Sequence, residues 1–149
     1  MDIEKIIKAN FKSAQQKAIV HTQLTAGFLA AKQGKFMATF DLSMAQFNIL
    51  RILRGSGKQL TISTIKSRMV EKSPNTTRLL DKLLEKGFIK RKGCDEDKRQ
   101  SFVEITESGL EILQKIDEAN FSRFLEPIGF SDEDADKLST LLDKLRASF

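Results

Sequence analysis

The sequence predicts a mainly α-helical chain: a winged helix-turn-helix with a three-strand or short β-hairpin wing, flanked by N- and C-terminal helices that dimerise. Three observations predict it. The stretch Gly87–Gly109 reads as an apolar-basic strand, a charged turn and a second strand, and ends in Thr-Glu-Ser-Gly, the opening of a further helix. Directly before it, Ser73–Lys86 carries a leucine stripe at helical spacing and an opposite face with Asn75, Arg78 and Lys82. The terminal segments hold more periodic apolar residues than one small domain can cover, and such an excess is commonly buried against a second copy of the chain.

Residues 3–33 place apolar groups at Ile3, Ile6, Ile7, Phe11, Ala14, Ala18 and Leu24, a long helix expected to stop at Gly34. Ser43 with Gln46 three residues later is a capping-box signature, in which hydroxyl and amide each satisfy an otherwise free backbone N–H. It opens a helix Met44–Arg54, broken by Gly55-Ser56-Gly57. Leu60 reads as a brief strand, and Ile62–Val70 as a short helix capped by Thr61. Ser73-Pro74 is a strong helix start, because Ser caps and Pro at the first helical position loses nothing. The helix ends at Gly87. Strand Phe88–Lys92, turn Gly93–Lys98 and strand Gln100–Ile105 come next. Thr106 caps a helix reaching about Glu126; Pro127 and Gly129 punctuate; Ser131 with Asp134 starts the last one. The expected division is 35–106 as the DNA-binding domain, with 1–34 and 107–149 as dimerisation helices.

Of 149 residues, 40% are hydrophobic and 30% charged, which excludes wholesale disorder. Charge is uneven: nine basic residues face three acidic ones through position 61, eleven face six over 62–102, and five face eleven from 103 onward. A basic front and an acidic C-terminal part suggest that one side meets a polyanion. One cysteine, Cys94, excludes an internal disulfide framework and fits a reducing cytoplasm. The N-terminal residues lack the apolar core of a signal peptide, and no stretch is long enough to span a bilayer, so a cytoplasmic protein without membrane association is expected. A Gly-rich phosphate loop, a Cys-x-x-Cys pair and a serine-nucleophile elbow are all missing, and His21 is the single histidine. An enzyme is therefore not expected, nor a cofactor, nor a multi-histidine metal site within a protomer.

The polar face of Ser73–Lys86 suits base reading. Docked by its N-terminal end, the helix brings Ser73, Asn75, Thr77 and Arg78 to a major groove. There Asn pairs with adenine and Arg with guanine in two bonds each. Lys82 and Lys86, further along, are expected to meet phosphates. The leucines Leu79, Leu80, Leu83 and Leu84 are core. In the hairpin, Lys90 and Lys92 share one strand side and reach the backbone. Asp97 can hold Arg99 extended, ready for the minor groove, with Lys98 beside it. Phe102, alternating with Val103 and Ile105, points away from their core.

Three runs carry a family resemblance: Leu42-Ser43-x-x-Gln46-Phe47-x-Ile49-Leu50, then Thr77-Arg78-Leu79-Leu80-Asp81-x-Leu83-x-x-Lys86-Gly87-Phe88-Ile89-x-Arg91, then Asp97-Lys98-Arg99-x-x-x-Val103-x-Ile105-Thr106-x-x-Gly109. Their order resembles the multiple-antibiotic-resistance regulator (MarR) family of bacterial winged-helix repressors, over nearly the whole chain. The resemblance implies a homodimer with interlocking terminal helices, whose recognition helices lie roughly 34 Å apart and read a pseudo-palindromic operator in double-stranded DNA. Ile62–Val70 becomes the supporting helix, with Ser63, Lys66 and Ser67 near the DNA backbone. It further implies a repressor released by a small aromatic or phenolic acid. His21 lines such an effector pocket with Phe47 or Arg51, or else is a satisfied interhelical histidine, the favoured reading. The family's oxidant sensors carry a reactive cysteine in the first helix; here Cys94 sits on the wing and reads as an incidental thiol. The competing function is an architectural DNA-binding protein that uses charge without reading bases.

Overall fold

The computed structural model describes residues 11–69, 75–93, 101–126 and 129–149. Helix α1, Ala14–Ala38, starts where the Ser13 hydroxyl accepts the Gln16 N–H at 3.1 Å. It runs straight through Gly34, the expected stop. A glycine inside a helix costs only about 1 kcal/mol and does not end it. The helix ends instead in a tight turn, where Asp41 adopts the left-handed φ of 54° and Leu42 N–H donates to Met37 O at 3.2 Å.

The expected capping box opens α2, Met44–Ser56. Ser43 Oγ accepts from Gln46 N at 3.2 Å and Gln46 Oε1 from Ser43 N at 2.9 Å. Phe47, Ile49, Leu50 and Leu53 are buried from this helix. It outlasts its expected end at Arg54, stopping where Gly57 takes a left-handed φ of 62°. Strand β1 is Leu60–Thr61. Thr61 then caps α3, Ile62–Arg68, through Thr64 N at 3.2 Å, and Ile65 is buried.

Helix α4, Thr76–Glu85, begins later than expected, with Asn75 at its N-cap and Ser73-Pro74 outside the described residues. Thr76, Leu80 and Leu83 are buried, but Leu84 is 41% exposed, so the core stripe is narrower than the leucines alone suggest. Strands β2, Ile89–Gly93, and β3, Ser101–Ile105, form the hairpin. The sheet order is β1-β3-β2, antiparallel, with Leu60 opposite Val103 and Arg91 opposite Val103 from the other side. Val103 is fully buried and Phe102 half-buried, as the strand alternation requires.

Helix α5, Glu107–Glu118, is capped by Thr106, whose Oγ accepts from Gly109 N at 3.1 Å. Gly109 is where this helix meets the hairpin: a Cβ there would sit 2.2 Å from Phe88 O. Only glycine lets the helix approach so closely. Leu113 and Ile116 enter the core shared by α2, α3, α4 and the sheet.

The helix expected to continue to Glu126 is interrupted at Asn120, left-handed at φ 54°, ψ 51°. Asparagine tolerates that conformation better than most side chains. The chain divides here into two units, Met1–Ala119 and Asn120–Phe149. The second contains α6, Phe121–Leu125, and α7, Asp132–Arg146. As expected, Ser131 caps α7 through Asp134 N at 3.2 Å. Acids in its first turn and Lys144 and Arg146 in its last complement the helix dipole. Among the described residues no helix is long and apolar enough to cross a membrane.

Candidate nucleic-acid interface

Helix α4 presents Thr77, Arg78 and Lys82 to solvent while Leu80 and Leu83 are fully buried. Arg78 and Lys82 stand one turn apart on that outer face. Asn75 is exposed at the N-cap position rather than inside the helix, and its side chain does not cap it. Ser73 lies outside the described residues.

Two charged residues assigned to this face are engaged inside the protein instead. The Lys86 ammonium, expected at a phosphate, donates to both the carbonyl and the carboxylate of Asp41, 2.6 Å away at the carboxylate. Asp81, on the polar side of α4, accepts from Arg91 Nη1 at 3.0 Å and so ties α4 to β2. Among the described residues, Arg91 Nε and Nη2 are buried without a hydrogen-bond partner. The pairing with Asp81 compensates the charge of this half-buried guanidinium.

On α3, Ser63, Lys66 and Ser67 are exposed. Ser63 Oγ and Thr61 Oγ1 hydrogen-bond at 2.9 Å, and Ser67 Oγ donates to Thr64 O at 2.9 Å, so the charge of this group comes from Lys66. In the wing, Lys90 and Lys92 are both exposed, on the same strand side as expected, with Arg91 turned inward. Lys90 lies 3.3 Å from Glu104, its partner across the ladder, whereas Lys92 stands opposite Phe102. Asp97, Lys98, Arg99 and Cys94 lie outside the described residues.

Of the residues assigned to an effector pocket, two come together. The Arg51 guanidinium sits 5.6 Å from the centroid of the Phe47 ring, which is only 3% exposed. His21 is exposed on α1. A separate cleft of about 430 Å³ opens beside α4, lined among others by Asp41, Gln46, Lys82 and Lys86. Sequence reasoning missed it, because Lys86 and Asp41 are 45 positions apart and neither signals the other. Among the described residues no three His, Cys, Asp or Glu side chains are grouped to hold a metal.

An amphipathic helix with exposed Arg78 and Lys82, preceded by a short supporting helix and followed by a basic hairpin, defines a winged helix-turn-helix protein. The particular kind is set by comparison with known proteins. The sequence model of the MarR family matches residues 42–101. The uncharacterised HTH-type transcriptional regulator YfiV of Bacillus subtilis is 39% identical over 74 residues, 50% of this chain and 46% of that one. A second from the same organism, YdcH, is 30% identical over 109 residues, 66% of this chain and 74% of that one. The match spans about half of YfiV and just under two thirds of YkoM and YdgG, also of B. subtilis. A mutant MarR from E. coli complexed with operator DNA superposes with a TM-score of 0.75 at 20% identity, over 97% of this chain and 99% of that one. An organohalide-sensing regulator in its 2,4-dichlorophenol-bound form gives 0.81 at 17%, over 94% and 86%. The chain belongs to the MarR family, whose members regulate transcription rather than catalyse a reaction.

Proposed function

We propose that this protein binds a pseudo-palindromic operator as a homodimer and represses transcription from it in the cytoplasm. The observation that carries the reading is α4, which buries Leu80 and Leu83 completely while Arg78 and Lys82 stay exposed beside a hairpin exposing Lys90 and Lys92. Arg78 reads guanine and Asn75 adenine, with Ser73 and Thr77 alongside. Lys82, Lys66, Ser63, Lys90 and Lys92 meet phosphates and fix register without reading sequence. The sequence assigns Arg99, with Asp97 and Lys98, to the minor groove. The operator-bound E. coli protein of the same fold supports this assignment.

Dimerisation is supported by apolar exposure. In α1, Phe28 is 66% exposed and Leu24 and Leu29 about 40%, and in α7 Leu141 is 63% exposed. Apolar groups at this density on a helix face mark an interface. We assign residues 1–34 and 107–149 to it. A small aromatic or phenolic acid releases the DNA, a reading supported by the dichlorophenol-bound relative and by the Phe47–Arg51 pair. We assign His21 to the same site.

Fluorescence anisotropy against duplexes from upstream of the protein's own gene, and against scrambled duplexes across salt, tests the reading. Expected is a preference of about 10³-fold or more, with two protomers per site. Equal, salt-steep binding to every duplex, including those recovered by genomic selection, would establish an architectural binder instead.

A further inference from the structure

The recognition helix is anchored by a contact that its DNA-facing residues do not use. Lys86 is the C-cap of α4. Its ammonium reaches the Asp41 carboxylate at 2.6 Å and also the Asp41 carbonyl, so it is fixed against main chain and not merely against another side chain. Asp41 belongs to the turn that ends α1, where its N–H donates to Ala38 O at 3.1 Å and the next N–H to the carbonyl of Met37, which is fully buried. The turn is therefore seated in the core. Asp41 holds a left-handed φ of 54°, a conformation that glycine adopts without strain. Stability alone does not explain the pair, because the Asp41 side chain is 95% exposed and ion pairs in that setting contribute little.

We infer that Asp41 and Lys86 are positioning residues that set the separation of the two recognition helices in the dimer, and hence the half-site spacing it accepts. The inference rests on the operator-binding dimer proposed above. Helix α1 carries the face assigned to the partner, with Phe28 and Leu29, and α4 carries Arg78. Asp41–Lys86 joins the end of the first helix to the end of the second. The geometry makes the junction consequential. Ten helical residues span about 15 Å, so a pivot of about 10° at Lys86 moves the base-reading end by roughly 2.6 Å. One base pair of spacer is about 3.4 Å. Leu80, Leu83 and the Arg91–Asp81 pair also seat α4, so release of the Lys86 end yields a fraction of that step.

The test uses duplexes that the wild-type protein selects from a randomised library, together with the same duplexes carrying one base pair more or fewer between half-sites. Asp41→Gly removes the carboxylate and relieves the turn, so the fold is retained. Lys86→Met removes both bonds, and Lys86→Arg restores a donor. Wild type and Lys86→Arg are expected to reject altered spacings. In Lys86→Met, which removes both bonds, that rejection falls by about fivefold, the upper effect of a surface pair; in Asp41→Gly, which keeps the carbonyl acceptor, it falls by less, with an unchanged salt slope. Unchanged spacing preference in both variants overturns the inference. So does a Lys86→Met protein weakened equally at every spacing, which makes Lys86 a phosphate contact. If the wild-type protein selects no duplex at all, the operator-binding reading fails and takes this one with it.

Discussion

Replacing Gly109 by alanine tests how α5 is seated on the wing. An added Cβ lies 2.2 Å from the Phe88 carbonyl oxygen and 2.7 Å from Ile105 Cγ1. The first contact is about 1.1 Å inside the ordinary carbon–oxygen approach of about 3.3 Å. The carbonyl cannot simply withdraw. It accepts the Thr106 N–H at 3.0 Å, and the neighbouring Gly87 carbonyl accepts Thr106 Oγ1 at 2.6 Å. Overpacking of this kind costs about 1–3 kcal/mol, and a lost hydrogen bond about 1 kcal/mol more. Alanine returns up to about 1 kcal/mol as the better helix former. The net is a loss of about 1–3 kcal/mol, or roughly 3–9 °C in Tm for a chain of this size. Gly55→Ala is the matched control: it too is helical, in α2, and no atom lies within 4 Å of its added Cβ. It is expected to gain up to about 1 kcal/mol. Urea unfolding of both variants at one protein concentration, so that dimer linkage is constant, reads the two signs directly. A Gly109→Ala protein as stable as Gly55→Ala would refute the close seating of α5 against Phe88.

Arg78→Ala is expected to weaken operator binding by about 1–3 kcal/mol and to blunt base preference at one position per half-site, measured by anisotropy on substituted duplexes. Lys82→Ala weakens all duplexes alike and lowers the salt slope; a base-specific loss would move it into the reading set. Ser43→Ala removes one arm of the capping box and lowers stability by about 1 kcal/mol, visible as a shifted urea midpoint with unchanged slope. Phe28→Glu places a charge on the exposed face of α1 and shifts the protein to monomers in analytical ultracentrifugation; a dimer that survives it is built on another surface.

Local hydrogen-bond chemistry is the legible part of the fold. Ser43, Thr61, Thr106 and Ser131 each cap the helix assigned to them, because a hydroxyl and an N–H three residues on need no tertiary context. Breaks are less legible. Gly34 reads as a stop, but α1 tolerates it; Asn120 carries no stop signal, but breaks the helical run just past α5. The first is a cost of about 1 kcal/mol that a 25-residue helix absorbs, and the second a left-handed conformation that asparagine tolerates without announcing it. At the candidate site, the buried and exposed faces of α4 come from helical period. The roles of Lys86 and Asp81 do not, since their partners Asp41 and Arg91 belong to other elements that only the tertiary fold brings near. A charge run read along one helix counts every cation as available; the folded protein has already engaged some of them.

The two-residue strand β1 has a consequence for the order in which the protein assembles. Its partner is β3, with Leu60 opposite Val103, about 40 positions further along the chain, and closures between such distant segments come late in folding. Leu60 and Ile89 are buried at 5% and 2% exposure, and β3 is the central strand of their sheet. A nascent chain that has emerged only as far as β2 already contains α2, α3 and the whole of α4, yet holds two strand edges with nothing between them. Open edges of this kind recruit other chains. Synthesis of one further strand, Ser101–Ile105, separates a polypeptide with unpaired edges from one whose β1 and β2 are hydrogen-bonded into a single sheet.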